Sequence, residues 1–363
     1  MLIQYSKWKP WSKTDDKRLE ELFSLFSYLM IQTNGNVDEV LDWLEEMGVE
    51  YEIFDDELTF SDFIDELKKQ GYIANKEGMN ILTSKGSQRM RKDSLKKIFG
   101  NMKIDTAGFH DTNKSGKGVD KLSELKKYEF GDQVTNIDLT STIKNAFVNS
   151  GPDNFRLSED DIEVYETEHI TSCATVLMID ISHSMILYGE DRITPAKEVA
   201  LALSELILSK FSKDRLSIVL FGDDAQEVPV KDLPFIAVGP FHTNTRAGLR
   251  LARNILKKKG TSNKQIFMIT DGKPSAIFTD DGRIYKNSFG LDPRIVNKTL
   301  DEAVACRREK IKITTFMIAQ DYYLRSFVDD FTKANNGKAY YADLDDLGRV
   351  VFGDYLRNRR NQR

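Results

Sequence analysis

Val176-Leu-Met-Ile-Asp-Ile-Ser-His-Ser-Met185 decides the fold. It opens with an apolar run suited to a strand buried on both faces of a parallel sheet, then turns polar at Asp180, Ser182 and Ser184. In an extended chain alternate side chains share a side, so these three groups are expected to converge where open α/β sheets place their ligands. One carboxylate and two hydroxyls form an oxygen donor set suited to a hard divalent cation: Mg²⁺ first, with Mn²⁺ or Ca²⁺ as substitutes. The set is incomplete without two downstream positions, Thr243 in Pro240-Phe-His-Thr-Asn-Thr245 and Asp271 in Ile266-Phe-Met-Ile-Thr-Asp-Gly272.

Taken in this order, Asp180-x-Ser182-x-Ser184, Thr243 and Thr270-Asp271-Gly272 resemble the metal-ion-dependent adhesion site of the von Willebrand factor A family. The resemblance implies that Ser182, Ser184 and Thr243 ligate the ion through hydroxyls. Asp180 and Asp271 would then act largely through bound water, leaving a position that a partner's Asp or Glu can fill. The segments Tyr188–Lys197, Gly239–Thr245 and Phe267–Pro274 look like those of bacterial intracellular members similar to CoxE and the magnesium-chelatase D subunit. That likeness implies a MoxR-type AAA+ ATPase and its client as partners. The sequence has no Walker A motif, so ATP hydrolysis would belong to another chain.

From residue 160 to 357 strand and helix patterns alternate, predicting a doubly wound, mostly parallel, six-stranded α/β sheet of Rossmann-like character. Ile162–Glu166 is expected to add an edge strand. Residues 14–100 read as a mostly helical module whose order of three helices and a hairpin resembles a winged helix, with Ser61 expected to cap the third helix. That helix carries Asp62, Asp65 and Glu66 among its basic residues, which fits protein docking better than DNA reading. Residues 101–159 read as a linker and anchoring segment: Gly108–Gly118 is polar and glycine-rich, and a helix follows at 137–147. The tail 358–363 is basic.

The 363 residues carry 40 % hydrophobic side chains, enough for a sizeable core, and a net charge of −5, which argues against bulk nucleic-acid binding. Cys173 and Cys306 show neither metal nor disulfide spacing and are expected to be buried thiols. No signal-peptide pattern and no apolar run of the ~18 to 20 residues needed for a membrane span is found, so a cytoplasmic protein is expected.

Two enzyme classes share parts of this pattern. A haloacid-dehalogenase-type phosphatase needs a second Asp where Ser182 stands, and a serine hydrolase needs a G-x-S-x-G elbow that neither serine occupies. His183 and His242 flank the site without a matched nucleophile, so catalysis is not expected. A phosphate-ester hydrolase using the metal, and a DNA-associated regulator acting through the first module, are the alternatives. Tyr188, Glu190, Asp191, His242, Lys273, Arg283 and Tyr285 are expected to form a rim that selects the partner, the last two from a long connection over 276–298.

Overall fold

The computed structural model describes residues 15–101, 120–129, 132, 134–151, 156–168, 172–189, 191–259, 263–271, 273–287, 289–318, 322–341 and 346–360. These fall into two compact units, one within Met1–Lys103 and Cys173–Leu356, the other within Ile104–Ser172 and Arg357–Arg363.

The first unit opens with α1 (Asp15–Gln32), α2 (Val37–Glu50), α3 (Phe60–Lys69), a hairpin of β1 (Ile73–Lys76) and β2 (Met79–Leu82), and α4 (Ser84–Asn101). The order of three helices and a hairpin is the one read from the sequence. The start of α3 differs by two residues. Thr59 rather than Ser61 is the cap, because its hydroxyl accepts the Asp62 N–H while the Asp62 carboxylate accepts the Thr59 N–H, satisfying two otherwise orphaned donors. Leu22, Phe26, Leu44, Phe63 and Leu67 repeat at helical spacing and are buried together.

The second unit contains β3 (Asp120–Lys127), α5 (Leu139–Ser150) and β4 (Glu163–Glu168). Here the structure corrects an expectation. The alternating stretch read as an edge of the large sheet pairs antiparallel with β3, Leu125 opposite Tyr165 and Lys127 opposite Glu163. Alternation identifies a half-buried strand but not the strand it joins. Asp138 caps α5 by accepting the Ser141 N–H at 3.0 Å and also accepts the Tyr165 hydroxyl at 3.1 Å, tying helix to ribbon. The glycine-rich stretch Gly108–Gly118 lies outside the described residues, as do 361–363 of the basic tail.

The chain returns to the first unit at β5 (Cys173–Asp180), followed by α6 (Ile193–Lys210), β6 (Arg215–Phe221), β7 (Ala225–Val228), α7 (Thr245–Lys258), β8 (Asn263–Thr270), β9 (Ala276–Phe278), β10 (Ile284–Lys286), α8 (Pro293–Arg308), β11 (Ile311–Met317), α9 (Tyr322–Asn335), β12 (Lys338–Tyr341) and α10 (Leu347–Arg360). The six-stranded sheet runs β12-β11-β8-β5-β6-β7, parallel except for the edge strand β7. Every residue of β5 is buried, as a strand covered on both faces requires. Its side chains divide by parity: Leu177 and Ile179 join one apolar core, Val176 and Met178 the other. The doubly wound sheet predicted from the alternation is therefore present. Cys173 and Cys306 are buried free thiols, and among the described residues no helix is long and apolar enough to cross a membrane.

The core on the Leu177 face continues without a break into the first helices. Polar contacts reinforce it: Arg91 of α4 meets Glu205 of α6 at 3.2 Å, and Lys97 meets Glu198 at 2.7 Å. At the centre of this contact Lys197 of α6 is fully buried, and its ammonium donates to Ile31 O (2.7 Å), Asn34 Oδ1 (3.0 Å) and Ile236 O (3.0 Å). Burial pushes this lysine down to about 8, which still leaves it charged at neutral pH with one acceptor for each of its three N–H groups. Ile31 lies in the last turn of α1, where carbonyls lack intrahelical partners, so the ammonium also caps that helix. Beside it Gly35, at a φ of +82°, faces the Phe235 ring, which a Cβ there would meet at 2.2 Å.

Lys197→Met keeps the apolar stem but strands buried carbonyls. It is expected to cost about 2–4 kcal/mol, read as a lower urea midpoint with unchanged slope. An unchanged midpoint would show that the ammonium does not hold α1 to α6.

Candidate metal centre

Parallel pairing brings the carboxyl ends of β6, β5 and β8 side by side: Asp180 lies opposite Phe221, and Ile179 opposite Ile269, which places Asp180 beside Thr270 and Asp271. The loop before α7 is stitched to the same edge. The His183 N–H donates to Phe241 O at 3.0 Å, the Gly239 N–H to Ile181 O at 3.3 Å, and the Asn244 N–H to Gly222 O at 2.7 Å. Thr243, on this loop, is buried; its N–H donates to Ser275 Oγ at 2.9 Å, and its carbonyl accepts the N–H groups of Ser275 and Ala276.

The way the first three groups meet differs from the sequence expectation. The strand ends at Asp180, and His183–Gly189 forms a tight 3-10 turn, so strand alternation does not gather them. Asp180 does so itself: its Oδ1 accepts the Ser182 N–H at 2.9 Å, curling the chain so that the Ser182 and Ser184 hydroxyl oxygens lie 3.1 Å apart. His183, between them, is exposed, as its intervening position implies.

Asp180 is fully buried and its Oδ2 accepts the Thr270 hydroxyl at 2.6 Å. Loss of solvent, together with the negative charge of Asp271, pushes its carboxyl up to about 7. Burial also raises Asp271, opposed by the Ser184 hydroxyl and by the Arg192 guanidinium at 3.6 Å. The Asp271 Oδ1 is buried with no hydrogen-bond donor among the described residues. Two carboxylates in a dry recess, one oxygen unmatched, with paired hydroxyls alongside, suit a hard divalent cation. Among the described residues no three His, Cys, Asp or Glu side chains cluster as a metal site, so such an ion would depend on the hydroxyl donors.

The expected rim resolves into several kinds of residue. Asp191 accepts the Thr194 N–H at 3.0 Å and so caps the start of α6. The His242 N–H donates to Asp223 Oδ1 at 2.8 Å, and Lys286 reaches the other oxygen of that carboxylate at 2.5 Å. Lys273 is half-buried, whereas Arg283 is exposed and pairs with Asp281 at 3.4 Å. The connection over 276–298 is not irregular: β9 and β10 pair as a hairpin. Tyr285 there donates its hydroxyl to Asp292, the cap of α8, at 2.9 Å, with the Arg294 guanidinium 5.1 Å from its ring centroid. Glu190 and the Tyr188 side chain lie outside what is described. The sequence does not single out Arg192, although it lies within the Tyr188–Lys197 segment, or Ser275; only the fold brings them to Asp271 and Thr243.

Comparison with known proteins places these observations. A family model described as "Rv0959-like protein, vWA domain" matches residues 173–356, and another described as "Rv0959-like protein, third domain" matches residues 120–167. The protein Rv0959 of Mycobacterium tuberculosis (strain ATCC 25618 / H37Rv) is 30% identical over 302 residues, 81% of this chain and 44% of that protein. Mb0984 of Mycobacterium bovis matches with the same values, so the chain spans less than half the length of either relative. Among solved structures, the vWF domain of the type V pili tip protein Mfa5 from Porphyromonas gingivalis is 14% identical with a TM-score of 0.42, covering 52% of this chain and 95% of that one. BatB from Bacteroides thetaiotaomicron is 16% identical with a TM-score of 0.39, covering 52% and 100%.

A raised folded-state pKa at Asp180 means that stability is fully present below the unfolded-state value near 4 and is lost as pH rises through about 7. Without divalent metal, Asp180→Asn keeps an acceptor for the Ser182 N–H and removes the buried charge. In EDTA it should therefore melt several degrees above the parent at pH 8, with the gap closing toward pH 4. A variant melting below the parent at pH 8 would overturn this account of the pair.

Proposed function

The chain belongs to the family of Rv0959-like proteins with a von Willebrand A domain, and from that premise we propose that the carboxyl-end site is a metal-ion-dependent adhesion site capturing an acidic side chain of a protein partner. The observation carrying this reading is the buried pair Asp180 and Asp271, with the unmatched Asp271 Oδ1 and the Ser182 and Ser184 hydroxyls beside it. Ser182, Ser184 and Thr243 would supply hydroxyl donors, and Asp180 and Asp271 the balancing charge. A bound Mg²⁺, with Mn²⁺ or Ca²⁺ as substitutes, would supply an electrophile with a position open to an incoming carboxylate.

The chain's own groups do the rest. Thr270 and the Ser182 N–H hold both oxygens of Asp180, so this carboxylate is aimed before any partner arrives. Ser275 fixes the backbone on both sides of Thr243. Arg192, 3.6 Å from Asp271, restrains that carboxylate from the amino end of α6. Among the described residues neither serine hydroxyl is hydrogen-bonded to a histidine or lysine; Ser184 meets Ser182 and the Asp271 carboxylate, an arrangement of oxygen groups that supports capture over hydrolysis. The partner proposed is a MoxR-type AAA+ ATPase of the cytoplasm acting on a client, for which this chain serves as adaptor. The rim around His242, Lys273, Arg283 and Tyr285 is proposed to select it.

Purified chain immobilised as bait should retain a co-expressed AAA+ ATPase in Mg²⁺ and lose it in EDTA, and Asp180→Ala or Asp271→Ala should lose it by tenfold or more while keeping its far-ultraviolet dichroism. Mg²⁺ should also raise the melting temperature of the parent but not of Asp271→Ala, since only a site that binds the folded form transmits stability. Retention indifferent to EDTA and to both substitutions would refute the adhesion-site reading.

A further inference from the structure

Next to the loop bearing Thr243, the first three turns of α7 border a cavity of about 260 Å³ whose wall includes Asn244, Arg246, Arg250, Asn254 and Phe278. Arg246, Arg250 and Asn254 succeed one another at i, i+4 and i+8, so they form a single stripe of hydrogen-bond donors on one helix face. The size is informative. It lies just below the roughly 300–1,000 Å³ of cofactor and drug-sized sites and is ample for a carboxylate side chain. Leu251 and Phe278 give it an apolar part, and Asp224 is the one carboxylate among the lining residues, against two guanidinium groups.

The two arginines stand in different conditions. Arg246 donates one N–H to Phe278 O at 3.2 Å, which fixes the guanidinium against β9 and leaves further donors of its fork for another group. Arg250 is exposed and makes no ion pair or hydrogen bond among the described residues. This contrasts with Arg253, the next arginine on α7, which is held by Glu302 and Glu309 at 2.6 Å each. Asp224, in the cavity wall, accepts the Ala225 N–H on its Oδ1 at 2.7 Å, and Asp223 is held by His242 and Lys286.

Asn244 joins the cavity to the metal site. It follows Thr243 directly, caps α7 by accepting the Ala247 N–H at 3.0 Å, and donates to Asp223 O at 3.0 Å. Asn244 thus belongs both to the loop that carries Thr243 and to the wall of the cavity. We propose that the cavity receives a second acidic side chain of the same partner, two to four residues from the acid that meets the metal, with Arg250 and Arg246 as its cationic wall. The preferred partner is thus a segment carrying two acids. This rests on the adhesion-site reading for the first acid only.

The test uses the full chain and acetylated, amidated glycine heptapeptides titrated by calorimetry in Mg²⁺: one with a single Glu, and three with a second Glu two, three or four residues on. The expected result is that the best two-Glu peptide binds about fivefold tighter than the single-Glu peptide, the scale of one partly exposed ion pair. Arg250→Ala should erase that gain while leaving the single-Glu peptide and Mg²⁺ affinity unchanged, and Arg250→Lys should keep part of it. The proposal is overturned if no two-Glu peptide outperforms the single-Glu peptide, if Arg250→Ala retains the gain, or if it weakens both peptides alike. The metal reading is judged separately: it fails if EDTA leaves single-Glu binding intact, and the Arg250-dependent gain still decides the cavity.

Discussion

Asp180 and Asp271 are carboxylates at adjoining strand ends, both shut away from water, and burial raises the proton affinity of each, that of Asp180 further through the charge of Asp271. A charge so placed is costly unless something of opposite sign meets it. Much of the surrounding structure works to keep the pair in place despite that cost. Thr270 and the Ser182 N–H hold Asp180 by both oxygens, Arg192 lies near Asp271, and the fully buried β5 leaves the first carboxylate no route to solvent. The sheet is thus a rigid scaffold that holds an otherwise unfavourable charge arrangement in place.

The same scaffold extends into the first helices. Glu205 and Glu198 on α6 engage α4, and Lys197 engages the end of α1. The amino end of this helix carries Arg192, so one rigid element touches both Asp271 and the helical module. A buried ammonium with three acceptors also specifies position: a register slip along α6 would leave the charge and at least two carbonyls unsatisfied.

Much of the fold was legible because it rests on period. The apolar run at Val176–Ile179 and the alternation of strands with helices called for a doubly wound sheet, and helical spacing in residues 14–100 called for the first three helices. The pairing of Glu163–Glu168 was not legible, since an alternating strand suits any partner with a matching face. At the site, Asp180, Ser182, Ser184, Thr243 and Asp271 stood out because hard oxygen donors interrupt apolar runs at element ends. Lys197 gave no signal: a lysine in an amphipathic helix ordinarily faces water, and only the docking of α1 and the Ile236 carbonyl encloses it.

What the sequence determined by itself is chemical and local: which residues bring oxygen donors, where each strand ends, and which faces must be covered. What tertiary structure decided is which of these groups share a space. The cavity beside Asn244 shows the difference, because Arg250 and Arg253 belong to one helix yet only the fold gives Arg253 two glutamates and leaves Arg250 facing the opening. The physical reason is that charge, burial and hydrogen bonding act through space, and spacing along the chain constrains distance only within a single element.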